Sequence, residues 1–126
     1  MNARPCPCDP ARIYAGCCGP LHAGIPAHDA EALMRSRYSA YVMGLEDYLL
    51  MSWHPTTRPQ PPLLPTDATL KWLRLKVIAH HAIDVDHAEV EFIARCLDNG
   101  ARRDLHERSR FVRESGDWFY VDGVID

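Results

Sequence analysis

With 126 residues, the chain is long enough for one globular core and too short for two. Its 47% hydrophobic and 25% charged residues exclude a disordered polymer. A formal charge of -3 gives no global reason to expect a nucleic-acid binder, whose footprint is a strongly basic surface, although a local basic patch is not excluded. No apolar run approaches the roughly 20 residues that span a bilayer, and the N-terminus lacks the order of a signal peptide. The expectation is a cytoplasmic protein without membrane contact.

From Met1 to Pro26 the chain carries four of its five cysteines, five prolines and three glycines, with too few large apolar side chains for a core. Such a segment needs another source of stability. From His28 to Met43 a helix is predicted, capped by Asp29 and ended by Gly44, with Met34, Tyr38, Tyr41 and Val42 as its apolar stripe. Leu45 to Trp53 reads as a second short helix carrying Tyr48, Leu49 and Trp53. Five prolines between His54 and Pro65 then exclude regular structure.

The period changes from 3.6 to 2 in the second half. In Leu70 to Ile78, Leu73, Leu75 and Val77 alternate with Arg74 and Lys76, as in a strand with one wet face. Glu89 to Leu97 repeats the pattern, and Leu105 to Glu114 repeats it more weakly. Asn99-Gly100 and Ser115-Gly116-Asp117 mark turns, and Trp118 to Val121 is a short aromatic strand. Helices followed by strands predict an α+β domain with helices covering one face of an antiparallel sheet.

The cysteines are spaced as Cys6-Pro7-Cys8, a loop, then Cys17-Cys18. Zinc takes four ligands at tetrahedral corners, and two close pairs separated by a loop can supply them, although the commonest fingers place two residues inside each pair. A vicinal redox pair or disulfides between the two groups are the competing readings, set back by the reducing compartment. His22 is a spare candidate ligand with a second reading, orienting the segment against the domain. Cys96 alternates with Val90, Phe92 and Ala94 and reads as core.

The run Cys6-Pro7-Cys8, Tyr14, Cys17-Cys18-Gly19-Pro20-Leu21-His22-Ala23-Gly24 resembles the SEC-C motif, a small zinc knuckle also found in the tail of the SecA preprotein translocase. Leu33-Met34-Arg35-Ser36-Arg37-Tyr38-Ser39-Ala40-Tyr41 and His106-Glu107-Arg108-Ser109-Arg110-Phe111, followed by Trp118, Tyr120 and Val121-Asp122-Gly123, resemble the YchJ-like family of bacterial proteins. The resemblance implies a knuckle over residues 1–26, with one structural Zn2+ on Cys6, Cys8, Cys17 and Cys18. It also implies a domain over residues 27–126 of the nuclear transport factor 2-like (cystatin-like) fold, a cone of N-terminal helices packed on a curved antiparallel sheet. Asp9-Pro10-Ala11 replaces the more flexible Gly-Ser-Gly common in that knuckle. Some relatives carry a second knuckle at the C-terminus. This chain ends at Asp126 without one, so no role needing two is expected.

Two functions follow. The first is a binding module in which the knuckle, displaying Arg4, Arg12 and Tyr14, docks on another protein or a ribonucleoprotein. The second is a small-molecule binder or enzyme using the interior of the cone. Arg37, Tyr41, His54, Glu107 and Ser109 are its candidate pocket residues, and Tyr38, Trp53, Trp72, Phe111 and Trp118 are further walls. Arg37 on the helix is expected to pair with Glu107 on the facing strand, because a buried charge needs a partner. No residue pattern marks a general base, and the binding module is the preferred reading.

Overall fold

The computed structural model describes residues 4–64 and 70–126. Two short strands, β1 (Pro5–Cys6) and β2 (Asp9–Ile13), and a helix α1 (Cys18–His22) precede a long helix α2 (Ala30–Met43) and a short one, α3 (Glu46–Met51). Four long strands follow: β3 (Leu70–Asp84), β4 (His87–Asp98), β5 (Ala101–Glu114) and β6 (Asp117–Ile125). They form one antiparallel meander in the order β3-β4-β5-β6, and α2 lies across it.

Helix α2 starts where the sequence predicts. The Asp29 carboxylate accepts from the Ala32 amide at 2.7 Å, and Gly44 ends the helix at φ 72°. Asp29→Ala should cost about 1 kcal/mol in urea unfolding, since it leaves a first-turn N–H without its acceptor. The predicted stripe needs one correction: Val42 is exposed, while Leu33, Met34, Arg37 and Tyr38 are buried. Eight residues beyond Met34, Val42 has rotated off the face to which Tyr41, seven beyond, returns. Helix α2 is buried on two sides, against the sheet and against the N-terminal segment, and its second buried face is built from Ser36 and Ser39 rather than aliphatic residues.

The strand predicted to end at Ile78 continues to Asp84, and its alternation breaks. Trp72 pairs with Cys96 but Arg74 pairs with Arg95, so Leu73 is an extra residue. It stands 42% exposed while Trp72 and Leu75 pack inward. The register shifts again between Val77 and Ala79 and between Ala82 and Asp84, leaving Ile78 and Ile83 exposed. Each bulge bends the strand and increases its twist. Three of them on one edge strand curve the sheet around α2.

Along β5 the predicted alternation holds: Ser109 and Phe111 are buried, Arg108 and Arg110 exposed. The strand begins at Ala101, four residues before the predicted start, because its polar end overhangs the core and is tied by ion pairing of Arg95 with Asp104 at 2.9 Å. Asn99 and Gly100, at φ 54° and 83°, form the predicted tight hairpin. The segment after α3 is stitched to β6: Tyr120 N–H donates to Ser52 O and His54 N–H to Tyr120 O. Glu46 Oε1 accepts from the Leu63 and Leu64 amides, holding the described part of the proline-rich loop against α3, while Pro65 lies outside the described residues.

Candidate functional site

The β1–β2 hairpin carries Cys6 and Cys8 at its tip, and a single 3-10 turn over Tyr14–Gly16 brings Cys17 and Cys18 back beneath them. Gly19 is required there, because a Cβ would sit 2.8 Å from the Tyr14 carbonyl oxygen. The four ligand sulfurs all lie within 4.8 Å of one another. Cys8 and Cys17 Sγ are 3.5 Å apart, and Cys17 and Cys18 Sγ 4.0 Å. Sulfurs 2.3 Å from a tetrahedral metal would stand about 3.8 Å from each other, so this donor set can hold one metal ion. All five cysteines are unbonded to one another, against the disulfide reading.

Bringing four thiols together splits their acidities. Cys8 is held down to about 5, first by the Cys18 thiol as hydrogen-bond donor, with Cys17, Cys6 and Arg35 adding to the effect. Cys18 is pushed up by the same contact and by burial. The Cys8 thiolate that this favours is one that a cation among the sulfurs would neutralise.

The domain helix supplies the outer contacts of this cluster. Ser39 Oγ donates to Cys18 Sγ at 3.2 Å and lies 3.7 Å from Cys6 Sγ. Arg35, paired with Glu31 at 2.9 Å, reaches the Cys8 carbonyl at 3.4 Å. His22 Nε2 donates to the Ser36 carbonyl at 2.8 Å, which leaves Nδ1 to accept from the Tyr14 hydroxyl at 2.7 Å. His22 therefore has no lone pair left for a metal, and its role is the orienting one. Ser39→Ala should weaken metal affinity by about tenfold while the fold is kept, as loss of such outer contacts does elsewhere. Competition with a chromophoric chelator measures it.

Between α2 and the concave face of the sheet lies a cavity of about 230 Å³. Arg37, Tyr41, Glu107 and Ser109 line it together, with Tyr120 beside them. Arg37 is 5% exposed, and its Nη1 donates to the Leu49 carbonyl at 2.8 Å and to Ser52 Oγ at 2.6 Å. The guanidinium lies 5.0 Å from the Trp53 ring centre and 4.5 Å from that of Tyr120. The expected Arg37–Glu107 ion pair is not among those of the described residues. The guanidinium's charge is met instead by carbonyl and hydroxyl oxygens and by ring faces. Glu107 Oε2 accepts from Ser109 Oγ at 2.6 Å and from the Tyr120 hydroxyl at 3.3 Å. Gly123 leaves room for that carboxylate, since a Cβ there would stand 2.7 Å from Glu107 Cδ.

Residues 29–123 match the family model described as YchJ, middle NTF2-like domain. The chain belongs to the YchJ-like family. It is 55% identical to a UPF0225 protein of Polaromonas naphthalenivorans, over 97% of this chain and 88% of that one. A UPF0225 protein of Bordetella pertussis is 53% identical, over 95% and 92%. Among solved structures, a SEC-C motif containing protein from Rhodopseudomonas palustris superposes with a TM-score of 0.82 at 34% identity, covering 95% of this chain and 97% of that one. A second SEC-C motif containing protein, from Psychrobacter arcticus, gives 0.77 at 30% identity, covering 100% and 84%.

In this YchJ-like chain the structure gathers Cys6, Cys8, Cys17 and Cys18 at one point, and Arg37, Tyr41, Glu107 and Ser109 around one cavity. It sets His54 apart. That side chain faces the outer side of β6, with Nδ1 2.7 Å from Thr56 Oγ1 and its ring edge-on to Phe119. The hydrogen bond from the His54 amide to the Tyr120 carbonyl holds its backbone at the strand, and its Nε2 lies 2.9 Å from Glu114 Oε2, away from the residues that line the cavity. Cys96 is buried and outside the sulfur cluster. The residues that sequence reasoning missed are Ser36 and Ser39. A helix whose small polar residues recur three apart was the signal for a second buried face. No helix of the described residues is long and apolar enough to cross a membrane.

Proposed function

We propose that the chain is a zinc-dependent adaptor, in which one Zn2+ held by Cys6, Cys8, Cys17 and Cys18 fixes a surface for docking on another protein or a ribonucleoprotein. The observation that carries this is the closed donor set: four thiols within 4.8 Å, three of them almost fully buried. Four sulfur ligands leave no coordination position for water, so the ion would supply shape rather than chemistry.

The exposed side of the knuckle supports the choice of partner. Arg4 lies over the Tyr14 ring at 4.4 Å, and Arg12 stands beside Asp9 at 3.5 Å with about half its side chain in water. Two accessible guanidinium groups on a rigid hairpin suit carboxylates or backbone phosphates. Because Cys8 is built into the core, cysteine variants would confound docking with unfolding, and the double variant Arg4→Ala/Arg12→Ala is the cleaner test.

Native mass spectrometry should show one zinc per chain in both the unaltered protein and the double variant. Co-purification from cells should recover a partner only with the unaltered protein, in a salt-sensitive manner. Equal recovery by both, or a mass equal to the bare chain, would count against the adaptor reading.

A further inference from the structure

The interior cavity is unlike an ordinary gap in a core, because its polar groups collect at one pole and are not spent on each other. Arg37 uses Nη1 on Leu49 and Ser52, and its Nε and Nη2 have no acceptor among the described residues. Glu107 uses Oε2 on Ser109 and Tyr120, and its Oε1 has no donor among them. The Tyr41 hydroxyl likewise has no partner among them, and it feels both charges. Burial raises its pKa first, the Arg37 cation draws it down and the Glu107 anion pushes it up. The other pole is apolar, walled by Met34, Trp72, Phe92, Leu105 and Phe111. These atoms are not sealed from solvent, since the fully buried side-chain N and O atoms without a hydrogen bond among the described residues are Trp53 Nε1 and His54 Nε2, so a ligand can reach them. An architectural ion pair would have closed the distance. Gly123 leaves the space that the Glu107 carboxylate occupies.

We propose that this cavity binds a small amphoteric acid: a carboxylate with an ammonium or hydroxyl group on the adjacent carbon, carrying one ring-sized apolar body. The carboxylate would take the free N–H edge of Arg37, for which a planar fork is the matching partner. The ammonium or hydroxyl would donate to Glu107 Oε1, and the Tyr41 hydroxyl would complete the head group. The ring would fill the aromatic pole. Size agrees, since a cavity of about 150 Å³ holds benzene and the space here, about 230 Å³, extends that by a short polar head. A ligand with only one charge would leave either Arg37 or Glu107 desolvated and unanswered, which is the basis of selectivity at such sites.

The test is a titration of the isotope-labelled, zinc-loaded full chain by amide NMR with three probes: phenylalanine, 3-phenylpropanoate, which lacks the donor, and phenethylamine, which lacks the carboxylate. Phenylalanine should bind at least about tenfold more tightly than either single-ended probe, with shifts centred on Tyr41, Glu107 and Phe111. In Glu107→Gln its advantage over 3-phenylpropanoate should fall to within about threefold, while 3-phenylpropanoate itself binds as before. Tyr41→Phe, which removes one hydroxyl without emptying the core, should weaken phenylalanine by several-fold and serves if Glu107→Gln misfolds. Equal affinities for the three probes, or no shifts at these residues up to about 5 mM of any of them, would overturn the assignment.

Discussion

Stripping the metal is expected to unfold the N-terminal segment and to lower the thermal midpoint of the whole chain by more than about 10 °C. The size of the effect comes from where the sulfurs sit. Cys6, Cys8 and Cys18 share a core cluster with Tyr38 of α2 and Ala94 of β4, so the knuckle is not an appendage on a tether. Without a cation the four sulfur ligands must be held within 4.8 Å by protonation and weak thiol hydrogen bonds alone. Structural zinc sites contribute apparent binding free energies of about 10–16 kcal/mol to small peptide folds. If only about 3 kcal/mol of that reached the shared core, a domain of this size would lose roughly 10 °C. Circular dichroism melts with and without a strong chelator measure it, and added Zn2+ should restore the midpoint. Acid should mimic the chelator, because thiolate ligands take up protons as the ion leaves. A midpoint unchanged within about 2 °C would mean that the cluster carries no structural ion.

The elements that could be read from the sequence are those specified by local chemistry. Asp29, Gly44 and Asn99-Gly100 each act within a few residues, and the structure uses them as the sequence predicts. The cysteine spacing told of a cluster, because two close pairs need only one chain reversal to meet. What could not be read depends on residues far apart. Leu73 is exposed because β4 offers no partner between Cys96 and Arg95, a property of the pairing and not of the strand. Arg37 avoids Glu107 because Leu49 and Ser52, on a separate helix and its following turn, present oxygens closer to hand. His54 leaves the pocket for Glu114, far along the chain, whose carboxylate lies 2.9 Å from its Nε2. Ser39 gains its meaning only when the knuckle is docked on α2.

Arg37→Ala is expected to cost about 3–4 kcal/mol in urea unfolding, among the larger effects of any single change outside the cysteines. The arginine binds three elements: its own helix α2, the end of α3 through the Leu49 carbonyl and Ser52, and β6 through the Tyr120 ring. Leu49 is 0% exposed, so its carbonyl would lose a charged donor without gaining water, a penalty of about 1–3 kcal/mol. The space that the guanidinium fills beside the Trp53 and Tyr120 rings would empty as well, adding a cavity term. Arg37→Lys should recover part of this, since an ammonium can donate to the same oxygens but offers no planar guanidinium to lay against the Trp53 and Tyr120 rings. Burial lowers the Arg37 pKa, yet an arginine remains protonated throughout the accessible range. The loss should therefore be the same from about pH 5 to about pH 8. An ion pair with Glu107 would instead weaken as the carboxylate takes up its proton toward acid, so a penalty that shrinks at low pH would restore the pairing that the geometry denies.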